Sequence, residues 1–536
     1  MQATGTLPPA HRRRLAALTG TAALALAMTA VSANAETIRW ARVGDALTLD
    51  PHAQNEGPTH TLNHHIYETL VGREIDGGLS PRLATDWGIL EDDDTIWEFT
   101  LREDVVFHDG TALTADDVVF SIQRAQAETS DMRGLHGSVE DVIAVDDHTV
   151  HVQMEGPSPL YVQNLTNTFI MSREWAEEHG VEEPQDFAGG EESHAVRNAN
   201  GTGPYTVVER DPESRTELEW FEDHWADQPD ITRIIYTPIS SDSTRVAALL
   251  SGEVDFVQDL PIQDIERLEE DGDVTVVRGP ENRSIFFSYD QGSEELRSAN
   301  VEGNPFASPE VREAMALALD RDAIREVVMR GESQPSGTVA PPFVHGWTEE
   351  MHEYPEPDIE RARELMAEAG YPDGFSVDLH TPNDRYLNDE SISQAFVGML
   401  GQIGIEANLV SQTRSLHFPL IQNRETDFYL LGWGVPTFDS QYIFDFLVHS
   451  TEDARGGWNA SNYNNDEVDA LIQEMATETD EEVRDALMAE VWEQVQSDRV
   501  FLPVHNQLLA YGMREGVDME VPPNNQPLMF EVSLGD

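Results

Sequence analysis

Three histidines, His60, His64 and His65, stand within six residues. His60 and His64 fall one helical turn apart, a spacing at which two imidazoles can share a metal. A metal site needs three or four convergent ligands, and His64-His65-Ile66-Tyr67-Glu68 is not the H-E-x-x-H spacing of a zinc peptidase. The acidic clusters Glu91-Asp92-Asp93-Asp94 and Asn462 to Asp469 could offer oxygens to calcium, but neither has the glycine and terminal glutamate spacing of an EF-hand. No G-x-S-x-G elbow is present. The chain contains no cysteine, which removes thiol nucleophiles, disulfides and thiolate metal sites, and no lysine, which removes the Walker lysine, Schiff bases and Ser-Lys dyads. Neither a catalytic residue, a metal nor a cofactor is expected, and the chain cannot itself be an ATPase. What remains is recognition chemistry: the guanidinium fork of arginine, which grips a carboxylate with two parallel charged hydrogen bonds, and flat aromatic faces such as Trp433, Phe438, Trp458 and Tyr463, which pack on a ligand or fill a core.

With 536 residues the chain can build two or three cores. Its 100 acidic and 33 basic residues give a formal charge of −67, and every basic side chain other than histidine is arginine. Such a surface repels nucleic acid and anionic lipid. It suits high salt, where self-repulsion is screened within roughly 3 Å at molar ionic strength, and a halophilic bacterium is the expected source. At the N-terminus, Arg12-Arg13-Arg14 precedes an apolar stretch from Leu15 to Val31, and Ala33-Asn34-Ala35 closes it with small residues. These are the three parts of a cleaved secretory signal peptide, which predicts a periplasmic protein.

The elements that would position binding residues are written locally. In the stretch from Trp97 to Ala125, Trp97, Phe99 and Leu101 alternate with polar residues as a strand with one buried face. His108-Asp109-Gly110 supplies a turn, and Thr114-Ala115-Asp116-Asp117 can cap a helix whose apolar stripe is Val118, Val119 and Ile122. A short strand over Thr37 to Val43 leads to Leu49-Asp50-Pro51 and a helix carrying Ile66-Tyr67-Glu68-Thr69-Leu70. Further on come an acidic loop from Glu182 to Asn200, then Gly201-Thr202-Gly203-Pro204-Tyr205, and a strand, helix and glycine stop running from Ile231 to Asp255. No period of 20 to 50 residues is present, which excludes a repeat array.

The Trp97 to Ala125 segment, the Ile66 to Leu70 pattern, the GTGPY element and the Arg245 to Asp255 run together resemble the family 5 extracellular solute-binding proteins, the group of dipeptide, oligopeptide and nickel receptors of ABC importers. The resemblance runs from about Ile38 to about Gly516. It implies an α/β, bilobal periplasmic binding protein of the large, three-domain type, with two mixed lobes on a hinge. Lobe I would comprise 36–80, 200–289 and 506–536, with an accessory subdomain over 81–199, lobe II would be 290–505, and 1–35 the signal peptide. The implied function is to bind a peptide or similar small solute between the lobes and deliver it to an inner-membrane permease with its ATPase subunits, as a monomer and without catalysis. An opine, a sugar or a metal chelate is the alternative ligand. A secreted hydrolase is the competing class, supported only by the abundance of Asp and Glu.

The same resemblance singles out Leu431 to Phe446 as the ligand-reading segment, with Trp433, Thr437, Phe438 and Asp439 as contacts and Trp458 beyond them. Peptide receptors of the family pair the ligand's ammonium with an Asp a few residues after the Trp. Here Pro436 takes that place and Asp439 follows three residues later. Asp439 either pairs an ammonium from a shifted loop or caps the helix from Ser440 to Leu447. Arg385 lies where dipeptide receptors carry a carboxylate clamp, although a structural ion pair is an equal use for it. From the N-terminal lobe, Asn55, Glu56 and His60 match a loop that faces ligand in relatives. Cleavage after Ala35 should leave Glu36 as the first residue of the exported chain, and its intact mass or N-terminal sequence checks this; an exported chain that retains Met1 contradicts it.

Overall fold

The computed structural model describes residues 36–535 except 91, 188, 189, 191, 384 and 452–454, and of residue 415 it describes the backbone alone. The expected signal peptide, and Glu91 of the acidic cluster, lie outside the described residues. An eleven-stranded sheet organises the chain. On one side are Phe375–Pro382, Ile405–Gln412 and Phe428–Gly434; on the other are Glu36–Arg42, Ile231–Pro238, Arg215–Trp220, Tyr205–Asp211 and the short Phe256–Val257. Between them run two long antiparallel strands, Val274–Tyr289 and Phe501–Arg514, the second also pairing with Ser333–Pro335.

This central pair belongs to both sides. Val274 to Pro280 face Arg514 to Leu508, whereas Ser284 to Ser288 face Asn506 to Phe501, and the register slips between Pro280 and Ser284 and again between Ile285 and Phe286. Pro280 has no N–H to give the ladder, and unpaired extra residues bend a strand as bulges do. One apolar core gathers Trp40, Tyr205 and Tyr236 on the side of the first strand, and another runs through both sides, joining Ala41, Leu249 and Val257 to Phe287, Phe396 and Phe428. A third cluster gathers Trp433, Phe444 and Trp492. The fold is thus a bilobal α/β one. Among the described residues no helix is long and apolar enough to cross a membrane.

The Trp97 to Ala125 stretch folds as its local signals dictate. The strand Asp93–Leu101 buries Trp97, Phe99 and Leu101, Gly110 turns with φ +87°, and the helix Ala115–Ala125 follows. Asp117 closes the helix start by accepting the Thr114 backbone N–H at 3.0 Å. The strand joins a separate four-stranded sheet with Ala84–Leu90, Thr149–Met154 and Val139–Asp146, around a core of its own that includes Phe107. The helix expected to carry Ile66 to Leu70 instead ends at Ile66, spanning Gly57–Ile66. The reason is tertiary: the Gly203 N–H takes the Ile66 carbonyl at 3.0 Å, and Tyr67 turns to extended backbone. A Cβ on Gly203 would lie 2.5 Å from the Ile66 carbonyl carbon, so the second glycine of GTGPY is demanded by close approach.

Without lysine, several buried carboxylates are answered by guanidinium forks. Asp50 and Arg124 meet at 2.7 Å with both side chains fully buried, and Asp45 and Arg210 meet at 2.8 Å. Burial alone would raise the Asp50 carboxyl, but the Arg124 guanidinium and the Gln185 N–H outweigh it and hold the group below the ordinary carboxylate range. This pair ties the segment after the first strand to the helix Ala115–Ala125. Replacing Asp50 by Asn leaves Arg124 buried without its counter-charge, and the unfolding free energy should fall by about 3–5 kcal/mol. Denaturant unfolding of D50N against the parent reads this directly; a loss within 0.5 kcal/mol, the ordinary size of surface substitutions, would contradict it.

Candidate functional site

A cavity of about 340 Å³ opens beside the register break of the central strands. The strand Phe428–Gly434 supplies one wall. Its period-two geometry turns Tyr429, Leu431 and Trp433 to one face, and Leu431 and Trp433 reach the cavity. Trp433 is held in an aromatic cluster, with ring centroids 5.7 Å from Tyr442, 5.6 Å from Trp458 and 5.8 Å from Phe446. On the opposite face Gly432 lets Tyr386 approach: the tyrosine hydroxyl donates to the Gly432 carbonyl at 2.9 Å, and a Cβ there would sit 2.6 Å from the ring. Arg385 and Arg283 flank this tyrosine, their guanidinium carbons 5.2 and 5.9 Å from its centroid.

The start of the helix Gly57–Ile66 forms the facing wall with Asn55, Glu56 and His60. Glu56 is the helix N-cap, accepting the Thr59 N–H at 2.8 Å, and burial raises its carboxyl above the ordinary range. His60 shares a hydrogen bond of 2.9 Å between Nε2 and Asn55 Oδ1, and burial pushes its imidazole down to about 3, so it is neutral. His64 and His65 turn to Asn167 and to the Thr61 carbonyl, and burial lowers them to about 4 and about 3. Among the described residues no three His, Asp or Glu side chains gather as a metal would require. Arg73 enters from the strand Val71–Arg73, and its guanidinium lies 4.7 Å from the Phe438 ring centroid.

The cavity therefore brings together Asn55, Glu56, His60, Arg385, Trp433, Phe438 and Trp458. Thr437 and Asp439, expected as ligand contacts, are not in the lining. Thr437 is buried with its hydroxyl toward the Asp439 carbonyl. Asp439 is 2% exposed, receives both terminal nitrogens of Arg484 at 2.8 and 2.7 Å, shares a 3.0 Å hydrogen bond with His345 Nδ1, and caps the following turn through the Gln441 N–H. Burial works against this carboxylate, but the His345 and Arg484 hydrogen bonds prevail and hold it below the ordinary range. Its oxygens are occupied within the protein, which supports helix capping rather than ammonium pairing. The helix it caps is α-helical only over Ser440–Ile443 and continues as π-helix through Phe444–Val448. The anchored loop holds Phe438 at φ +55°, a left-handed conformation that costs an aromatic residue roughly 1–2 kcal/mol.

Sequence reasoning missed Arg73, Arg283, Asn282 and Tyr386. Two of these had a signal. Arg283 sits in Pro280-Glu281-Asn282-Arg283, where a proline interrupts a long β run, and Arg73 precedes the Asp76-Gly77-Gly78 turn of a hairpin.

A family model described as bacterial extracellular solute-binding proteins, family 5 middle, matches residues 78–455. The glutathione-binding protein GsiB of Pectobacterium atrosepticum is 27% identical over 467 residues, covering 85% of this chain and 86% of GsiB. Among solved structures, the periplasmic binding protein AgaA of A. tumefaciens R10 with agropinic acid aligns at TM-score 0.74 and 23% identity, over 93% of this chain and 99% of AgaA. The Helicobacter pylori periplasmic binding protein DppA with the peptide STSA gives 0.74 and 22%, over 93% and 98%. Both structures share the fold.

The Asp439 hydrogen bond raises the His345 imidazole above its ordinary value. A folded-state value above the unfolded one contributes stability that is full below about pH 6.5 and is lost as pH rises through the folded value. His345→Gln should therefore flatten the fall in urea midpoint between pH 5.5 and 8.5, by less than about 1 kcal/mol because His345 is partly exposed. An unchanged slope would contradict the linkage.

Proposed function

This chain belongs to the family 5 bacterial extracellular solute-binding proteins, and on that premise we propose that it is the solute receptor of an ABC importer, which encloses a small solute between its lobes and hands it to the membrane permease. The observation that carries this reading is the cavity of about 340 Å³ at the break of the two strands common to both lobes, lined from one side by Glu56 and His60 and from the other by Trp433 and Arg385. A solute touching both walls favours the closed arrangement by the difference in its affinity for the two states. No step in this cycle breaks a bond, so the chain is a binding protein and not an enzyme.

A peptide or peptide-like solute is the leading ligand. GsiB, by its name, binds glutathione, and the DppA structure holds a peptide, whereas AgaA holds agropinic acid and keeps an opine as the alternative. With Asp439 engaged by Arg484, Glu56 is the carboxylate we assign to a ligand ammonium, and Arg385 the fork for a ligand carboxylate. The lobes we assign are 36–80 with 200–289 and 506–536, and 290–505, with 81–199 as the accessory subdomain; the register break between Pro280 and Ser284, facing the step from Leu508 to Asn506, supports the boundary near 506. We place the mature protein in the periplasm as a monomer working with a permease and its ATPase subunits.

Ligand binding only to the folded state should raise stability by about 2.7 kcal/mol at a hundredfold excess over Kd. Titrating glutathione, Ala-Ala and agropinic acid while following thermal unfolding should produce a saturable rise in Tm at one ligand per chain, with Arg385→Met weakening it about tenfold or more. Turnover of any of these solutes, or no shift with any of them and no solute carried through purification, would contradict the receptor reading.

A further inference from the structure

The cleft carries the opposite charge to the molecule around it. Acidic residues outnumber basic ones 100 to 33 along the chain, yet the cavity lining sets Arg73, Arg283 and Arg385 against Glu56 alone. Arg283 is partly neutralised, its Nε donating to Glu281 at 3.0 Å, but its terminal nitrogens have no acceptor among the described residues. The Arg385 guanidinium has no hydrogen-bond acceptor among them either, and stands with Arg283 against the one ring of Tyr386. Arg73 donates only to neutral groups, the Gly77 carbonyl at 2.8 Å, Gln163 Oε1 at 2.6 Å and the Pro436 carbonyl at 3.4 Å.

Arg385 stands apart from the buried arginines elsewhere in the chain, while Arg73, like Arg321, gives its N–H groups to neutral acceptors and is likewise lowered to about 10. Arg124, Arg210 and Arg484 each meet a carboxylate within 2.8 Å. Arg312 and Arg321 lack one but give their N–H groups to main-chain carbonyls, such as those of Phe306, Ala307 and Asp498 for Arg312 and that of Pro503 for Arg321. Burial lowers Arg385, with the neighbouring Arg283 charge adding to it, and lowers Arg73 to about 10; both directions report guanidiniums short of negative charge. Partly desolvated like charges repel one another unless an anion enters.

We infer that the solute carries at least two anionic groups, one seated between Arg283 and Arg385 and another directed to Arg73, with its apolar body against Trp433 and Trp458. This rests on the receptor reading above and narrows its ligand class. The guanidinium fork accepts carboxylates and phosphates alike, so both chemistries enter the test.

Calorimetric titration of the mature chain at fixed molar salt compares glutathione, with two carboxylates, and fructose 1,6-bisphosphate, with two phosphates, against tri-alanine, with one carboxylate, and glucose, with none. The solute released from protein isolated from its own cells is identified in parallel. We expect that solute to hold two or more anionic groups, the tighter of the two probes with two anionic groups to bind at least about tenfold tighter than tri-alanine, and Arg73→Met and Arg385→Met each to weaken it about ten- to a hundredfold. Unliganded Tm values show that the variants fold. Tri-alanine or glucose binding as tightly as the tighter of the two probes with two anionic groups, a released solute with fewer than two anionic groups, or a folded Arg73→Met with unchanged affinity for that probe overturns this inference while leaving the receptor reading intact. No binding by any probe together with no released solute overturns both.

Discussion

The antiparallel pairing of Val274–Tyr289 with Phe501–Arg514 is the constraint on which the rest depends. A single pair of strands pairs with neighbours on both sides and one apolar core runs through both, so the lobes are tied by main-chain hydrogen bonds and packing yet meet where the ladder breaks after Pro280. A break in a ladder is where a sheet bends most easily. It also leaves side chains free to turn away from the sheet, and Asn282 and Arg283 line the cavity from this point. Strand break and cavity wall thus arise from the same few residues.

Around the strand break, the chain manages a large excess of negative charge. Exposed carboxylates are solvated and screened, while some taken inside, such as Asp50, Asp45 and Asp439, are matched by arginine, whose fork can satisfy both oxygens at once. The Asp439 and Arg484 pair shows what this does for the site: it fixes the loop that carries Phe438, and it takes out of play the carboxylate that could otherwise have met a ligand. The cleft is the reverse case, where Arg73 and Arg385 lie partly buried without a carboxylate partner among the described residues. A protein so rich in acid has many ways to neutralise an arginine, which makes Arg385, without an acceptor among the described residues, and Arg73, held there by neutral groups alone, informative.

Local features were legible in the chain. The strand, turn and capped helix from Trp97 to Ala125 depend on neighbours within a few residues, and they form as written. Trp433, Arg385, Asn55, Glu56 and His60 were found through resemblance, not through their own spacing, and the cavity gathers them from segments more than 300 residues apart. Asp439 stayed ambiguous because its partner Arg484 lies 45 positions later and nothing local announces the pair. The end of the first helix at Ile66 was missed for the same reason: Gly203, brought in from far along the chain, takes the carbonyl that would have continued it. Arg73 and Arg283 were overlooked because a hairpin turn and a proline in a strand read as structural punctuation until the fold sets them against one space.

The central claim is that solute is held at the strand break, between the His60 wall and the Trp433 wall. Crystallising the protein with the solute it carries from its own cells tests this most directly. The account predicts electron density for one solute per chain in contact with Trp433 and Arg385. Density instead in the neighbouring cavity of about 280 Å³ lined by Trp225 and Phe530, with the Trp433 cleft empty, would contradict it.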